Sequence, residues 1–234
     1  TPAIGVMRAT QKLEQQVSSM PDKLLALGNP ITKQIAFLGT LPYSEKEVQN
    51  IAALFGPGNS VVKIGQDANK QTFEELASQF SDVHLATHGL VDEENPMQSS
   101  LILAPTQKDD GLLTVKDILA MKEIKAKLVV LSACQTGRGK ITGDGVVGLS
   151  RAFIIAGTPS VLVSQWNVDD IITEYQMKSF YKSYLAHAGR SKALRQAQLD
   201  TIKFMESGSA AKAGTGIRAN PRYWSAFQLI GESL

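Results

Sequence analysis

The sequence predicts an α/β protein with a mostly parallel central sheet and helices on both faces. Three observations lead there. Short apolar runs alternate with amphipathic stretches from about residue 34 onward, the βαβα order that builds parallel sheets. The purest run, Leu128-Val129-Val130-Leu131, has no polar face and reads as a strand buried on both sides. Of 234 residues, 43% are hydrophobic and 20% charged, which excludes disordered, collagen-like and coiled-coil chains.

Residues 1–33, with Pro2, Pro21 and Pro30, show no clear period and read as a lead-in to one domain over 34–234. Ile35 to Leu38, closed by Gly39, is the first expected strand. Ser44 and Glu47 fit an S-x-x-E capping box, and Val48, Ile51, Ala52 and Phe55 follow at helical spacing before Gly56-Pro57-Gly58. Val61 to Ile64 reads as a strand, and Thr72 with Glu75 as a second capping box. Val83 to His88 is the next strand.

Residues 89–116 interrupt the alternation with a polar insertion holding a short strand, Leu101 to Leu103, and an acidic turn at Asp109-Asp110-Gly111. Beyond it come the strand at Leu128 to Leu131, a helix over Val146 to Ala156, a strand at Val161 to Val163 and a long helix striped by Met177, Phe180, Tyr181, Tyr184 and Leu185. A further helix spans about 191–206. A Gly/Ala/Ser-rich loop at 207–219 leads to a last strand, Trp224 to Ile230. The insertion and this loop are small or polar in composition, which makes them candidates for mobility or for cleavage during activation.

The chain has 24 Lys/Arg against 22 Asp/Glu, a net charge of +2, so no global field recruits nucleic acid or an anionic membrane. Its halves differ: residues 1–117 carry 9 basic and 14 acidic side chains, residues 118–234 carry 15 and 8. The basic residues are dispersed along helices, as on a solvated face. No apolar run approaches the ~18 residues of a membrane span, and no signal-peptide order opens the chain. One cysteine, Cys134, excludes internal disulfides and Cys-rich zinc sites, and a cytoplasmic location follows as the default. Nothing in the residues calls for a metal or a cofactor.

His88 and Cys134 each end an expected strand, before Gly89 and before Gln135-Thr136-Gly137. Sites in open α/β sheets form outside the carboxyl ends of strands. If the two strands are parallel neighbours, their tips lie about 4.8 Å apart. An imidazole there can take a thiol proton, and the thiolate attacks carbonyl carbon. Gly89, without a Cβ, lets its N–H approach a substrate, and with the N–H of Cys134 it forms a candidate oxyanion hole. Set against this, free cysteines are commonly buried filler. The pairing favours chemistry: His88 precedes Cys134 by 46 residues, close to the about 50 found in caspases. His84 and His187 read as structural.

Ala86-Thr87-His88-Gly89, Val129 to Gly137 with Ser132-Ala133-Cys134-Gln135, the segment Gly143 to Gly157 with Arg151-Ala152-Phe153, Gln165-Trp166-Asn167-Val168-Asp169-Asp170 and Tyr223 to Gly231 together resemble a CHAT domain. That family belongs with the caspase, separase and gingipain cysteine peptidases of clan CD. The resemblance implies a caspase-like three-layer sandwich and endopeptidase activity on a protein or peptide substrate by a Cys–His dyad. It also implies upstream TPR-type repeats, or another regulatory partner, in a longer polypeptide. Carried over by position, Cys134 is the nucleophile, His88 the general acid/base, and Gly89 and Cys134 the oxyanion donors.

The resemblance also points to Gln165 and Trp166 as the wall of a P1 pocket. Asp169 or Asp170 either pairs with a basic P1 residue or caps the helix beginning near 171, and Asp144 is a further pocket candidate. Two other readings compete. Gly143-Asp144-Gly145-Val146-Val147-Gly148 matches G-x-G-x-x-G, the mark of a nucleotide-binding protein, but about nine residues separate it from Cys134 where the fingerprint should follow its strand at once. The other is a catalytically silent scaffold on the same fold.

Overall fold

A computed structural model of the protein describes residues 4–32, 40–121, 123–135, 143–166, 169–212 and 219–233. In chain order the elements are α1 (Ile4–Val17), β1 (Leu24–Pro30), α2 (Pro42–Phe55), β2 (Ser60–Gly65), α3 (Lys70–Leu76), β3 (Asp82–Leu90), β4 (Ser100–Ile102), β5 (Leu112–Thr114), α4 (Val115–Ala120), β6 (Leu128–Gln135), α5 (Gly143–Ile155), β7 (Ser160–Ser164), α6 (Asp170–Leu185), α7 (Arg190–Glu206), α8 (Ser209–Lys212), α9 (Pro221–Trp224) and β8 (Phe227–Gly231).

Among the described residues the strands form one sheet in the order β2-β1-β3-β6-β7-β8, with β4 and β5 appended to β3. The pairs β1–β2, β1–β3, β3–β6 and β6–β7 are parallel; β8 closes one end antiparallel to β7. Strand alternation divides the core in two. Leu25, Leu27, Val83, Leu85, Val129, Leu131, Val161 and Val163 pack with Phe73, Ile118 and Phe153 from α3, α4 and α5. Leu24, Ala26, Ala86, Leu128, Val130 and Leu162 pack with Val48, Ile51, Ile172, Phe180 and Ala197 from α2, α6 and α7. Both faces are apolar, so the central strands read as continuous hydrophobic runs. The expected α/β sandwich with helices on both faces is the observed one.

Residues 1–33, where the sequence shows no clear period, contain α1 and β1. β1 is paired on both sides, from Leu24↔Ser60 to β2 and Leu24↔Asp82 to β3, so part of the lead-in forms the interior of the sheet. Its Gly28 is required by packing: a Cβ there would lie 2.8 Å from the Ser44 carbonyl oxygen and 2.9 Å from Val48. The strand expected at Ile35 to Leu38 lies outside the described residues.

Both expected capping boxes are replaced by other contacts. α2 starts at Pro42, whose fixed φ suits a first helical turn. Ser44 is therefore inside the helix, its hydroxyl donating to the Leu41 carbonyl at 2.8 Å and accepting from the Asn29 amide at 2.8 Å. Asn69 caps α3 by accepting from the Thr72 amide at 2.9 Å. The capping box that does form is Thr114 with Asp117, at the start of α4. At the C-terminus, Trp224 ends the short helix α9, and the last strand begins at Phe227.

Candidate functional site

The carboxyl edge of the sheet is where the chemistry-bearing residues gather. β3 and β6 are in parallel register from Asp82↔Leu128 to Gly89↔Gln135, which makes His88 the partner of Cys134. Neighbouring strands lie about 4.8 Å apart, so the two backbone positions stand side by side one residue from the end of β6. His88 is 7% exposed. β3 runs two residues past it, so His88 does not end the strand as expected and Gly89 lies within it. β4 pairs with this extension at His88↔Ile102, Gly89↔Leu101 and Leu90↔Ser100, and the Thr87 hydroxyl donates to the Ile102 carbonyl. His88 thus projects from backbone held on both sides, a rigid base for a reactive group. Gln135 ends β6; residues 136–142 and the side chains of Cys134 and Asp144 lie outside the described structure, with Asp144 in the first turn of α5.

Gln165 and Trp166 leave the carboxyl end of β7, the strand beyond β6. The Gln165 amide donates to the Ala226 carbonyl at 2.8 Å, and the Trp166 indole N–H to the Arg222 carbonyl at 2.7 Å. Buried Gln176 donates its side-chain amide to the Trp224 carbonyl at 2.8 Å. These bonds anchor α9 and Ala226 against the segment after β7 and the middle of α6, and Trp166, Tyr223 and Trp224 pack on the core of that face. Asp169 is the N-cap of α6: its Oδ1 accepts from the amides of Ile171 at 3.0 Å and Ile172 at 3.2 Å. Of the two roles open to Asp169, the capping contact is the one present. Asp170 follows in the first helical turn, half-buried, with its carboxyl pushed up to about 6 by burial, then by the charges of Glu47 and Asp169.

Behind the edge, β3 presents further titratable groups to the α2 and α6 side. His84, fully buried, sits with Nε2 2.7 Å from Glu47 Oε1 and Nδ1 3.2 Å from the Tyr181 hydroxyl. Asp82, also fully buried, accepts from the Tyr184 hydroxyl at 2.9 Å and the Ser81 hydroxyl at 2.7 Å, and burial pushes its carboxyl up to about 6. The S-x-x-E spacing makes Glu47 a cap candidate. Its position signalled otherwise, because it shares the inward stripe with Val48, Ile51 and Phe55, where an ionisable side chain is rare without a partner. His187, exposed after α6, has φ 59°. Among the described residues no group of three His, Cys, Asp or Glu side chains is arranged to hold a metal. No helix there is long and apolar enough to cross a membrane.

A sequence model of the CHAT domain matches residues 2–232. Tetratricopeptide repeat protein 28 of Homo sapiens is 27% identical over 259 residues, covering 93% of this chain and 10% of that protein. Its Mus musculus counterpart is 28% identical, covering 96% of this chain and 10% of that one. The chain thus spans about a tenth of these relatives. Among solved structures, the Arg-specific cysteine proteinase gingipain R superposes with a TM-score of 0.59 at 8% identity, covering 97% of this chain and 51% of that one. Separase, in the Saccharomyces cerevisiae separase–securin complex, gives 0.56 at 12% identity, covering 95% and 13%. The fold is therefore shared with gingipain R and separase.

Proposed function

The chain belongs to the CHAT domain family, and we propose that within it this protein is a cysteine endopeptidase working through Cys134 and His88. The observation that carries the reading is the register His88↔Cys134 on adjacent parallel strands at the carboxyl edge, on a fold shared with cysteine peptidases. In the proposed reaction His88 takes the thiol proton and the Cys134 sulfur attacks the scissile carbonyl carbon. The carbonyl oxygen becomes an oxyanion beside the N–H groups of Gly89 and Cys134. Collapse breaks the C–N bond, with His88 returning its proton to the leaving amine. A water, deprotonated by His88, then hydrolyses the thioester and regenerates the thiol.

For the P1 pocket the reading takes Gln165 and Trp166 as wall and Asp170 as the acid, since the Asp169 carboxylate is engaged in capping α6. Asp144, at the start of α5, stays a second candidate. A basic P1 residue is supported by the half-buried Asp170 and by the description of a fold neighbour as Arg-specific. The substrate is a protein or peptide in the cytoplasm; neither nucleic acid nor membrane enters the reading. Its relatives are tetratricopeptide repeat proteins, which supports control by upstream repeats or by a regulatory partner.

The test incubates the wild type and Cys134→Ala, each with any natural upstream repeats present, with an unbiased peptide library and a thiol-directed electrophile. Cleavage and labelling that both vanish in Cys134→Ala are expected. A wild type that neither labels nor cleaves favours the silent scaffold, and strong preference for P1 Asp defeats the basic pocket.

A further inference from the structure

Helices α6 and α7 are antiparallel neighbours held in a fixed register. Tyr175 and Phe204 stack with ring centroids 4.1 Å apart, and the Ser179 hydroxyl donates to Asp200 at 2.6 Å. Four residues forward on α6 are thus answered by four residues back on α7. Continued toward the amino edge of the sheet, the register brings Lys182 level with Ala197, about 3 Å along the axis from Arg195, and Lys192 follows about one turn further on. Both helices turn apolar residues to the sheet, among them Ile172, Phe180, Leu194 and Ala197. Lys178, Lys182, Lys192, Arg195 and Lys203 are exposed, at spacings that place them on the outward stripes. Cations that look dispersed along the sequence therefore gather on one surface.

The chain does not neutralise them. No described carboxylate lies within 4.0 Å of any of the five. The acids nearby have other partners: Asp200 accepts from Ser179 and Gln196, Glu174 from Asn50, Glu14 from Arg190 and Glu232 from Thr10. Glu206 stands at the far end of α7. The corner formed by Lys182, Lys192 and Arg195 also goes against local preference. α7 has no acid in its first turn and no side-chain cap at Gly189, yet it carries Arg190, Lys192 and Arg195 in its first two turns. Cations at the positive end of a helix dipole are unfavourable. Arg190 is 2% exposed, and its Nε has no hydrogen-bond partner among the described residues. A local conflict of this kind points to a functional constraint.

We propose that this corner of α6 and α7 docks an acidic segment of a partner protein, whose carboxylates supply the negative charge that the start of α7 lacks. The inference goes beyond the peptidase reading and does not depend on it. Three cations within about two helical turns match a short run of Asp or Glu, and complementary charge of this kind sets partner choice. Single-stranded nucleic acid calls for free aromatic faces beside the cations, whereas Tyr175 and Phe204 are stacked on each other. An anionic membrane calls for exposed apolar side chains on the same helices. The large ones exposed among the described residues are Met7, Ile31, Met97 and Ile155, none of them on α6 or α7.

The experiment follows the fluorescence anisotropy of labelled short peptides, one of alternating Glu and Ser and one of alternating Gln and Ser, added to the Cys134→Ala chain so that neither is cut. The Glu/Ser peptide is expected to bind, and more weakly as salt is raised from about 50 to about 200 mM. Lys182→Glu, Lys192→Glu and Arg195→Glu together should weaken it by about tenfold or more, while the same charge change at exposed Lys108, Lys116 and Lys125, made as Lys108→Glu, Lys116→Glu and Lys125→Glu, weakens it by less than about twofold. If the first triple variant does not fold, the three glutamine substitutions at Lys182, Lys192 and Arg195 decide by the same comparison. Equal losses in the two triple variants overturn the proposal, as does a Glu/Ser peptide that binds no better than the Gln/Ser one. Tighter binding of a single-stranded oligonucleotide or of phosphatidylserine vesicles than of the Glu/Ser peptide overturns it as well. Because binding is read without the thiol, none of these outcomes bears on the peptidase reading.

Discussion

Arg190 and Glu14 join the first residue of α7 to α1 by two hydrogen bonds, of 2.8 and 3.2 Å. The Arg190 side chain is 2% exposed and that of Glu14 16%, so this ion pair is screened little by solvent. Removing the acid alone strands a buried cation, which costs about 3–5 kcal/mol. Glu14→Ala is therefore expected to lower the midpoint of urea unfolding severely, while Glu14→Leu combined with Arg190→Met recovers most of the loss. Equal damage from the single and double variants would show that packing, not charge, makes this joint.

Asp82 predicts a pH dependence of stability. Its carboxyl is raised from 3.8 to about 6 in the folded protein, so the folded state holds the proton more tightly than the unfolded chain. That contribution is full below about pH 4 and is lost as pH rises through about 6, a change on the order of 3 kcal/mol. Asp82→Asn keeps an oxygen for the Tyr184 hydroxyl and removes the titration. The variant should gain on the wild type between pH 4.5 and 7 when thermal midpoints are compared; parallel curves would refute the assignment.

Gly28 predicts a steric failure. Alanine there brings a Cβ to 2.8 Å from backbone at Ser44 and 2.9 Å from Val48. Overpacking of this kind costs about 1–3 kcal/mol. Gly28→Ala should lower the denaturation midpoint, and Gly28→Ala with Val48→Ala should recover part of it. A neutral Gly28→Ala would mean that α2 can move away from β1.

For the proposed peptidase, His88→Ala should slow alkylation of Cys134 by iodoacetamide at pH 7 by about tenfold or more and reduce peptide cleavage by about 10²–10⁴. Thermal unfolding should be altered little relative to these losses, because His88 lies near the carboxyl edge of β3, two residues from its end. Unchanged alkylation across pH 5 to 9 would separate His88 from the thiol.

The proposed P1 wall can be tested at Trp166. Its indole N–H holds the Arg222 carbonyl at 2.7 Å. Trp166→Phe keeps the ring and loses the bond, so KM for a peptide substrate should rise several-fold with kcat nearly retained. A fall in kcat at constant KM would place Trp166 with the reacting groups instead.

The legible features were those in which residue type and local spacing suffice. Leu128 to Leu131 and Val161 to Val163 are buried strands because an unbroken apolar run has few other places to go. Helix α6 follows from its stripe of Met177, Phe180 and Tyr181. β1 was missed because Leu24 to Pro30 holds Gly28, Asn29 and Pro30, residues that read as a turn. Gly28 is there to admit α2, and Asn29, at φ 45°, to accept from Leu41 and meet Ser44.

The same division runs through the candidate site. The sequence alone determined the α/β class, the CHAT resemblance and the marking of His88, Gly89 and Cys134, since these depend on residue identity and order along the chain. Only the tertiary structure decided that His88 and Cys134 are register partners, that Asp169 caps α6 and that Glu47 turns inward to His84. Strand pairing and helix packing join residues far apart in the chain, and local propensity carries no information about which of two available partners a carboxylate will meet.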